Sequence, residues 1–466
     1  MHRYIKHIKA EGVLGRFDID QEFQEGVNVL FGKNGTGKTT LLHILANLLN
    51  GDYKRFACTE FRTIRVQLND DTNIVISKKE VEEDSNINVT VNDESVAENI
   101  STTRERLKLD QDREEWRILS AYRERKLREL QEDDDEEEVK PILPVAYFPA
   151  FRTMIEAWAS AELRPRNPKD IQILSTKFAR ELFGSFVPSL NYPSPIEIER
   201  GLSEEIDEAL FKVTRADRKY FGELLPNIFQ ILSKNSISTE YTLAEEGESE
   251  EIIEEINSLV KKLEKYALKA APEITKLRSS VSSFEVDNQK KRIAEQVLNI
   301  YRKALREVVS VQDNSFRSIE TYLESINSFL EGKSIEISST EPILRRKSSV
   351  EIKFEAGTPN TIPGIRRALS SGERQIVTLI YAATHMSKQE IVLIDEPEIS
   401  LHVDWQRHLL QKMSEQLGER QIIVCTHSPV IGADYEERVI IFEPTITCSS
   451  ENTNNNGFVE EDGEVF

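Results

Sequence analysis

At 466 residues the chain is longer than one compact hydrophobic core organises, and two or three domains are expected. Its 81 acidic and 60 basic residues give a formal net charge of −21, which excludes a surface basic throughout and confines any nucleic-acid contact to a local patch. No apolar run approaches the ~20 residues of a membrane span, and the charged, strand-like opening does not read as a secretion signal. Cys58, Cys425 and Cys448 stand in no paired spacing, which excludes a disulfide framework and leaves a reducing compartment, the cytoplasm, as the expectation.

Tyr4 to Ile8 and Arg16 to Phe23 alternate like half-buried strands, and Val27 to Phe31 is a short apolar run that reads as a buried one. Gly32 to Thr40 then fits G-x-x-x-x-G-K-[ST], and Leu41 to Leu49 is apolar at helical spacing. Strand, glycine loop and helix form the context in which these letters mean a phosphate-binding loop rather than a Gly-rich turn. Gly32, Gly35 and Gly37 let successive N–H groups converge on a phosphate, and the helix that follows points its positive end there. Lys38 would reach the β- and γ-phosphates, and the Thr39 hydroxyl would ligate Mg²⁺. With Asn34, Thr36 and Thr40 these residues form the candidate nucleotide-binding set.

Arg62 to Asn69 and Thr72 to Lys78 flank Asp70-Asp71 and read as a hairpin. Glu80 to Ser101 is mostly polar, with Val89 to Val91 as one further strand. Thr102 to Leu130 carries dense charge of both signs without Gly or Pro, which predicts a solvated helix. The acidic run Glu132 to Glu138 reads as a self-repelling link, or as a docking site for a basic partner. Val145 to Phe148 resumes as a buried strand, closing a first region of residues 1–150.

Residues 151–333 change to helical patterns. Ile252, Ile256, Leu259, Leu263 and Tyr266 recur at coiled-coil spacing. A second helix carries Ile293, Val297, Ile300 and Leu305, and a third carries Ile319, Leu323, Ile326 and Phe329. Two or three short antiparallel helices are the economical reading. Residues 334–445 return to strands at Ser334 to Ile337 and Val350 to Phe354, then alternate helix and strand as an α/β region. Residues 446–466 are polar, Asn-rich and expected to fray.

Ile391 to Ile394 are four apolar residues that deliver Asp395 and Glu396 to the C-terminal end of a buried strand, where open α/β sheets bind ligands. Asp395 would hold Mg²⁺, directly or through water, and Glu396 would polarise the attacking water. Two exposed acids on a surface turn are the plainer alternative. One helix length earlier stands Leu369-Ser370-Ser371-Gly372-Glu373, and Thr426-His427 ends the next strand.

In this order the motifs resemble those of ABC-type ATPase heads, over roughly residues 1–150 and 335–445. That resemblance implies a mixed α/β head with an antiparallel β lobe and a helical insertion. It also implies a homodimer, or a larger homo-oligomer, that sandwiches two ATP molecules with Mg²⁺. Lys38 and Glu396 of one subunit would face Ser370, Ser371, Gly372 and Glu373 of the other, and His427 would sense the γ-phosphate. The opening Tyr4 to Ile8 and Gly26 to Gly35 resemble SMC-like heads. Asp395 to His402 with Thr426 to Pro429 resembles the overcoming-lysogenization-defect and AAA-type group, including stand-alone ATPases of anti-phage systems such as PARIS and Septu.

This sequence departs from the family where His402 replaces the usual Asp and Val403 a frequent Pro. No Gln opens the second lobe; Phe148 to Arg152 takes its place, giving Arg152 a role in nucleotide contact or in bridging to the insertion. Phe17 is a candidate for adenine stacking, or a core residue. The related nucleases continue into a Toprim domain, and no such domain is expected here. The expected function is therefore an ATP-driven sensor and scaffold of an anti-phage complex that controls a separate nuclease or toxin, with a phage-derived trigger. The alternative is an SMC-like DNA-repair head that clamps DNA through Lys290 to Arg292, Arg302, Lys303, Arg306 and Arg345 to Lys347. A transporter energiser finds no support in the insertion.

Overall fold

The computed structural model describes residues 2–81, 84–102, 112, 141–156, 168–233, 249–266, 291–337, 350–357, 360–386 and 389–446. Most of the expected charged helix up to Leu130, the acidic run, the basic cluster Arg345 to Lys347 and the polar tail lie outside them.

The N-terminal strands are β1 (Ile5–Val13), β2 (Phe17–Glu22) and β3 (Val27–Phe31), followed by helix α1 (Lys38–Leu49). Next come β4 (Thr63–Leu68), β5 (Asn73–Val81), β6 (Asp84–Val91) and β7 (Glu94–Thr102). The hairpin around Asp70-Asp71 forms as read, with Gln67 opposite Asn73. The polar stretch after it holds two long strands where one short strand was expected. Its turn is Asn92-Asp93, both at positive φ (51° and 65°), between the paired Val91 and Glu94. A two-residue turn of this kind matches the twist of the strands it joins. With a C-terminal strand, β15 (Thr445–Ile446), these strands build a seven-stranded sheet ordered β15-β2-β1-β4-β5-β6-β7.

After β8 (Val145–Phe148) the chain turns helical: α2 (Pro168–Phe183), α3 (Pro195–Gly222), α4 (Leu224–Ser233), α5 (Ser249–Glu264) and α6 (Lys291–Asn327). Ser194 and Glu197 close a reciprocal capping box at the start of α3, with Pro195 in the first turn. The two helices expected between Ile293 and Phe329 are one 37-residue helix. No Gly or Pro interrupts it, and its buried residues Leu298, Tyr301, Leu305, Val308, Gln312, Phe316, Ile319, Leu323 and Ile326 keep a three-four spacing throughout. Ile293, expected on the apolar seam, is 44% exposed.

The α5 seam is Ile252, Ile256, Val260 and Leu263, with Leu259 only half-buried. Helix α3, outside the expected set, runs antiparallel to α6: Phe221 packs on Tyr301 while Ile198 and Ile206 share a core with Phe316 and Ile326. For α5 the antiparallel expectation fails. Glu255 pairs with Arg302 and Arg306, the Lys262 carbonyl accepts from Gln312, and Lys265 pairs with Glu320. Both helices therefore ascend together, and α5 runs parallel to α6.

The chain re-enters sheet structure at β9 (Lys333–Ile337), β10 (Val350–Phe354) and β11 (Thr361–Pro363), a small antiparallel sheet. Short α7 (Ile365–Ala368), then α8 (Ser371–Thr384), β12 (Ile391–Asp395), α9 (Val403–Leu417), β13 (Gln421–Thr426), β14 (Val439–Ile441) and β15 (Thr445–Ile446) complete it. The central sheet is parallel, in the order β14-β3-β13-β12-β8. Every residue of β8, β12 and β13 is buried, as strands covered on both faces require. Leu30, Leu393 and Ile423 join the core with α1 and the seven-stranded sheet. Val29, Val392 and Val424 join the opposite core with α8, α9, α3 and the C-terminal half of α6. A third cluster unites α5 with the N-terminal half of α6.

Among the described residues no helix is long and apolar enough to cross a membrane. The continuity of α6 is testable at Asn314, an exposed position where a break between two helices would fall. Asn314→Pro is expected to cost about 3 kcal/mol or more of stability, read as a lowered denaturation midpoint. A midpoint equal to the parent's would mean the helix is interrupted there.

Candidate nucleotide-binding and hydrolysis site

Parallel pairing puts the C-terminal ends of β3, β13 and β12 side by side, with Phe31 opposite Thr426 and Cys425 opposite Asp395. The phosphate loop leaves the first end, His427 the second and Glu396 the third. Gly35 and Gly37 lie at positive φ (79° and 91°), where a side chain would be strained. A Cβ on Gly32 would meet the Phe442 carbonyl at 2.9 Å, so its smallness serves the close passage of β14. Gly37 caps α1, and no side chain bonds the first N–H groups of that helix. Thr36 Oγ1 donates to the Lys33 carbonyl at 3.0 Å. Asn34 and Gly35 are exposed and Thr40 half-buried in the first turn of α1.

Lys38 Nζ donates to the Gly32 carbonyl at 2.8 Å, the Lys33 carbonyl at 3.1 Å and His427 Nε2 at 2.9 Å. Burial, and then the neighbouring Lys38 charge, hold His427 below its ordinary pKa, so its neutral ring accepts this bond. Thr39 Oγ1 donates to Asp395 Oδ2 at 2.9 Å, while Asp395 Oδ1 is buried with no partner among the described residues. Burial pushes the Asp395 carboxyl up to about 6 against the pull of Thr39, Arg152 and Lys38.

Glu396 sits at φ 46°, a left-handed conformation unusual for this residue, and its Oε1 lies 3.0 Å from His427 Nε2. Burial raises its pKa, as do the close approach of the Glu398 carboxyl and the negative charges of Glu398 and Asp395. Glu398 moves the other way. Burial works against its charge, but Oε1 accepts from Thr426 Oγ1 (2.7 Å) and the N–H groups of His427 (2.8 Å) and Ser428 (3.0 Å), which hold it below the ordinary carboxylate range. It ties the turn after β12 to the turn after β13. Sequence reasoning gave Glu398 no role; a third acid two residues beyond a paired Asp-Glu was the available signal.

Ser370 to Glu373 make their bonds elsewhere. Ser370 caps α8 in a reciprocal box with Glu373, whose Oε2 accepts from the Ser370 N–H at 2.6 Å and from Lys333 Nζ at 2.9 Å. Ser370 and Ser371 are exposed. A Cβ on Gly372 would lie 2.5 Å from the Ser400 carbonyl, so this glycine has a reason within its own chain: α8 presses on the turn that carries Glu396. Ser400 is itself at positive φ (65°).

Of the two readings of Phe17 the core one holds: it is 7% exposed, with the Arg16 guanidinium 5.0 Å from its ring centroid. Arg152 makes no hydrogen bond to the phosphate loop among the described residues; it lines a cavity with Ile171, Ser175, Leu190 and Tyr192 of the helical region, and its guanidinium is buried against the carbonyls of Pro149, Asp395, Glu396 and Pro397 and the amide of Gln375. His402 is exposed beside Asp404 at the start of α9.

Among the described residues no cluster of three or more His, Cys, Asp or Glu forms a metal cage. One unpartnered carboxylate oxygen beside one hydroxyl instead fits Mg²⁺, which keeps most of its shell for water and phosphate oxygens. Asp395 and Thr39 would hold it.

A glycine loop at one parallel strand end, with carboxylates at another two strands away, defines a phosphate-loop nucleotide-binding α/β protein. The AAA ATPase domain family model matches residues 16–431, and the chain belongs to that family. No curated protein matches it. Solved structures similar to it include the Smc head domain of Pyrococcus furiosus with an extended coiled coil, bound to the C-terminal domain of ScpA (14% identity, 93% of this chain and 92% of that one, TM-score 0.39). Others are an SmcHead bound to the C-winged helix domain of ScpA (11%, 95% and 97%, TM-score 0.36) and the recombination mediator protein RecF-ATPrS (13%, 92% and 94%, TM-score 0.33).

Removing the ammonium in Lys38→Ala should cost about 3 kcal/mol of ATP binding, roughly a hundredfold, by calorimetry. Unchanged affinity would remove the loop from the site. Gly372→Ala should lower stability by about 1–3 kcal/mol through overpacking against Ser400 and slow ATP turnover, with ATP affinity unchanged. Parental turnover would show that the contact is dispensable.

Proposed function

We propose that the protein is an ATP-hydrolysing ABC-type ATPase whose reaction centre is completed by a second copy of the chain. The observation that carries this reading is the division of the motifs. Lys38, Thr39, Asp395, Glu396 and His427 converge, whereas the exposed Ser370 and Ser371 open a helix whose bonds run to Lys333 and its own first turn. Ser370 Oγ accepts from the Glu373 N–H, which leaves its own proton to donate outward. A γ-phosphate held by another subunit is the ligand that donor and helix end would suit.

Lys38 and Thr39 bond to His427 and Asp395, and Glu396 lies beside His427, while Asp395 Oδ1 has no partner among the described residues. Bound nucleotide would take Lys38 from the Gly32 and Lys33 carbonyls and from His427, giving it phosphate oxygens instead. Asp395 and Thr39 would hold Mg²⁺, which when bound supplies positive charge toward the phosphates. Glu396, freed from His427 and ionised, would orient the attacking water and take its proton, while His427 turns to the γ-phosphate. Phosphoryl transfer asks chiefly for such positioning and charge stabilisation. Hydrolysis would then report on how the subunits meet.

In its fuller form the reading makes this ATPase the sensor and scaffold of an anti-phage complex, controlling a separate nuclease or toxin. Its support is the resemblance over Asp395 to His402 and Thr426 to Pro429. The DNA-clamping alternative gains nothing from Arg302 and Arg306, both committed to Glu255.

Glu396→Gln should bind ATP, fail to turn it over, and shift from monomer to dimer in sedimentation. Mixing Lys38→Ala with Ser370→Arg, each inactive alone, should restore part of the turnover, since one mixed site keeps both halves. A strictly monomeric parent hydrolysing ATP at full rate would overturn the composite site. For the fuller reading, ATP-loaded Glu396→Gln purified from the native host should retain a nuclease or toxin. Recovery of no protein partner, with unchanged phage sensitivity on deletion, would sink it.

A further inference from the structure

Arg152 stands four residues beyond Phe148, the last residue of β8, which lies opposite Ile394 of β12. The parallel pairing therefore delivers it beside the turn that begins at Asp395. Nη1 donates to the carbonyls of Pro149 (3.0 Å), Asp395 (3.1 Å) and Glu396 (3.3 Å). Nη2 donates to the carbonyls of Glu396 (3.3 Å) and Pro397 (3.1 Å) and to Gln375 Oε1 (3.1 Å). The side chain is almost wholly buried and makes no carboxylate ion pair among the described residues. A buried cation without an anion is costly unless neutral oxygens surround it, and here most of those oxygens are backbone carbonyls of one turn. A planar fork that reaches several carbonyls at once fixes their relative orientation in a way a point charge does not.

That turn is the strained one. Glu396 and Ser400, at φ 46° and 65°, bracket it, and such conformations persist only where their surroundings over-determine them. Gln375 lies on α8, is 2% exposed, and its amide nitrogen has no partner among the described residues, so the bond to Arg152 is its only polar anchor there.

We propose that Arg152 is a positioning residue: it fixes the carbonyls of Asp395, Glu396 and Pro397 so that the Glu396 side chain is aimed at the phosphate loop, and through Gln375 it ties that aim to α8. A push on the start of α8 by the neighbouring subunit's nucleotide is then felt at Glu396 of the same chain. This rests on the composite-site reading above and adds the route by which the two halves communicate.

Two substitutions separate the roles. Arg152→Lys keeps charge and loses the fork; turnover number should fall about a hundredfold, as misplacement of a reacting group by an ångström does, with KM and ATP-analogue affinity within about threefold of the parent. Gln375→Met keeps volume and leaves the carbonyl contacts in place; turnover should fall roughly tenfold at unchanged KM. Gln375→Glu, which still offers Arg152 an oxygen, should stay near the parent. A purely structural role would lower the melting temperature without this split or this rescue. If Arg152→Lys does not fold, the Gln375 pair decides. Parental turnover in Gln375→Met, or equal loss in Gln375→Glu, overturns the proposal. Failure of the parent to hydrolyse ATP or to associate would instead count against the composite-site reading, and is measured separately.

Discussion

Val29 lies opposite Val424, and Val424 opposite Ile394: three parallel strands in register, each buried on both faces. On this pairing the chemistry of the molecule depends. Parallel strands end at the same edge, so the phosphate loop, the Asp395-Glu396 pair and His427 emerge within hydrogen-bonding reach although hundreds of residues separate them in the chain. Side chains of each strand alternate between the two cores, so a slip of one residue in any of the three would turn its whole apolar set the wrong way. The site is as rigid as the sheet beneath it.

Charge at that edge is finely divided. Asp395, Glu396 and Glu398 crowd together, and burial penalises all three. Three donors let Glu398 stay ionised. Glu396, with a neighbouring acid and no comparable donors, has its pKa pushed up. Lys38 meets the acids from the phosphate loop, and Arg152 meets the backbone from beneath. Adjacent acids are thus shifted in opposite directions by their different neighbours.

The helical region is no appendage. Helix α6 begins in a small core with α5 and ends under α8, sharing Phe316, Ile319 and Ile326 with the strands of the central sheet. Tyr322 donates its hydroxyl proton to the Val377 carbonyl on α8 at 2.9 Å, joining the two helices within the core. One continuous helix thus joins the small core it shares with α5 to the element that begins at Ser370. Its stiffness comes from uninterrupted helical hydrogen bonds and apolar packing on both cores.

Some of this was legible in the residues alone. Gly32 to Thr39, Asp395-Glu396 and the Ser370 motif are local: each needs one strand, one turn or one helix start, and period and turn chemistry specify those. The hairpin at Asp70-Asp71 and the buried strands β3, β8, β12 and β13 were readable for the same reason. Where the reading faltered, partners distant in sequence decided. A heptad does not say which way its neighbour runs, so the parallel course of α5 and α6 waited on Glu255 finding Arg302 and Arg306. Neither the Ser400 carbonyl against Gly372 nor the carbonyls of Asp395, Glu396 and Pro397 against Arg152 could be read from the motifs. The sequence by itself determined which residues are candidates for the nucleotide chemistry, because those motifs are short-range. Only the tertiary structure decided what holds them in place, because a buried cation or an ionised acid is stable only among the particular oxygens and N–H groups that folding brings to it.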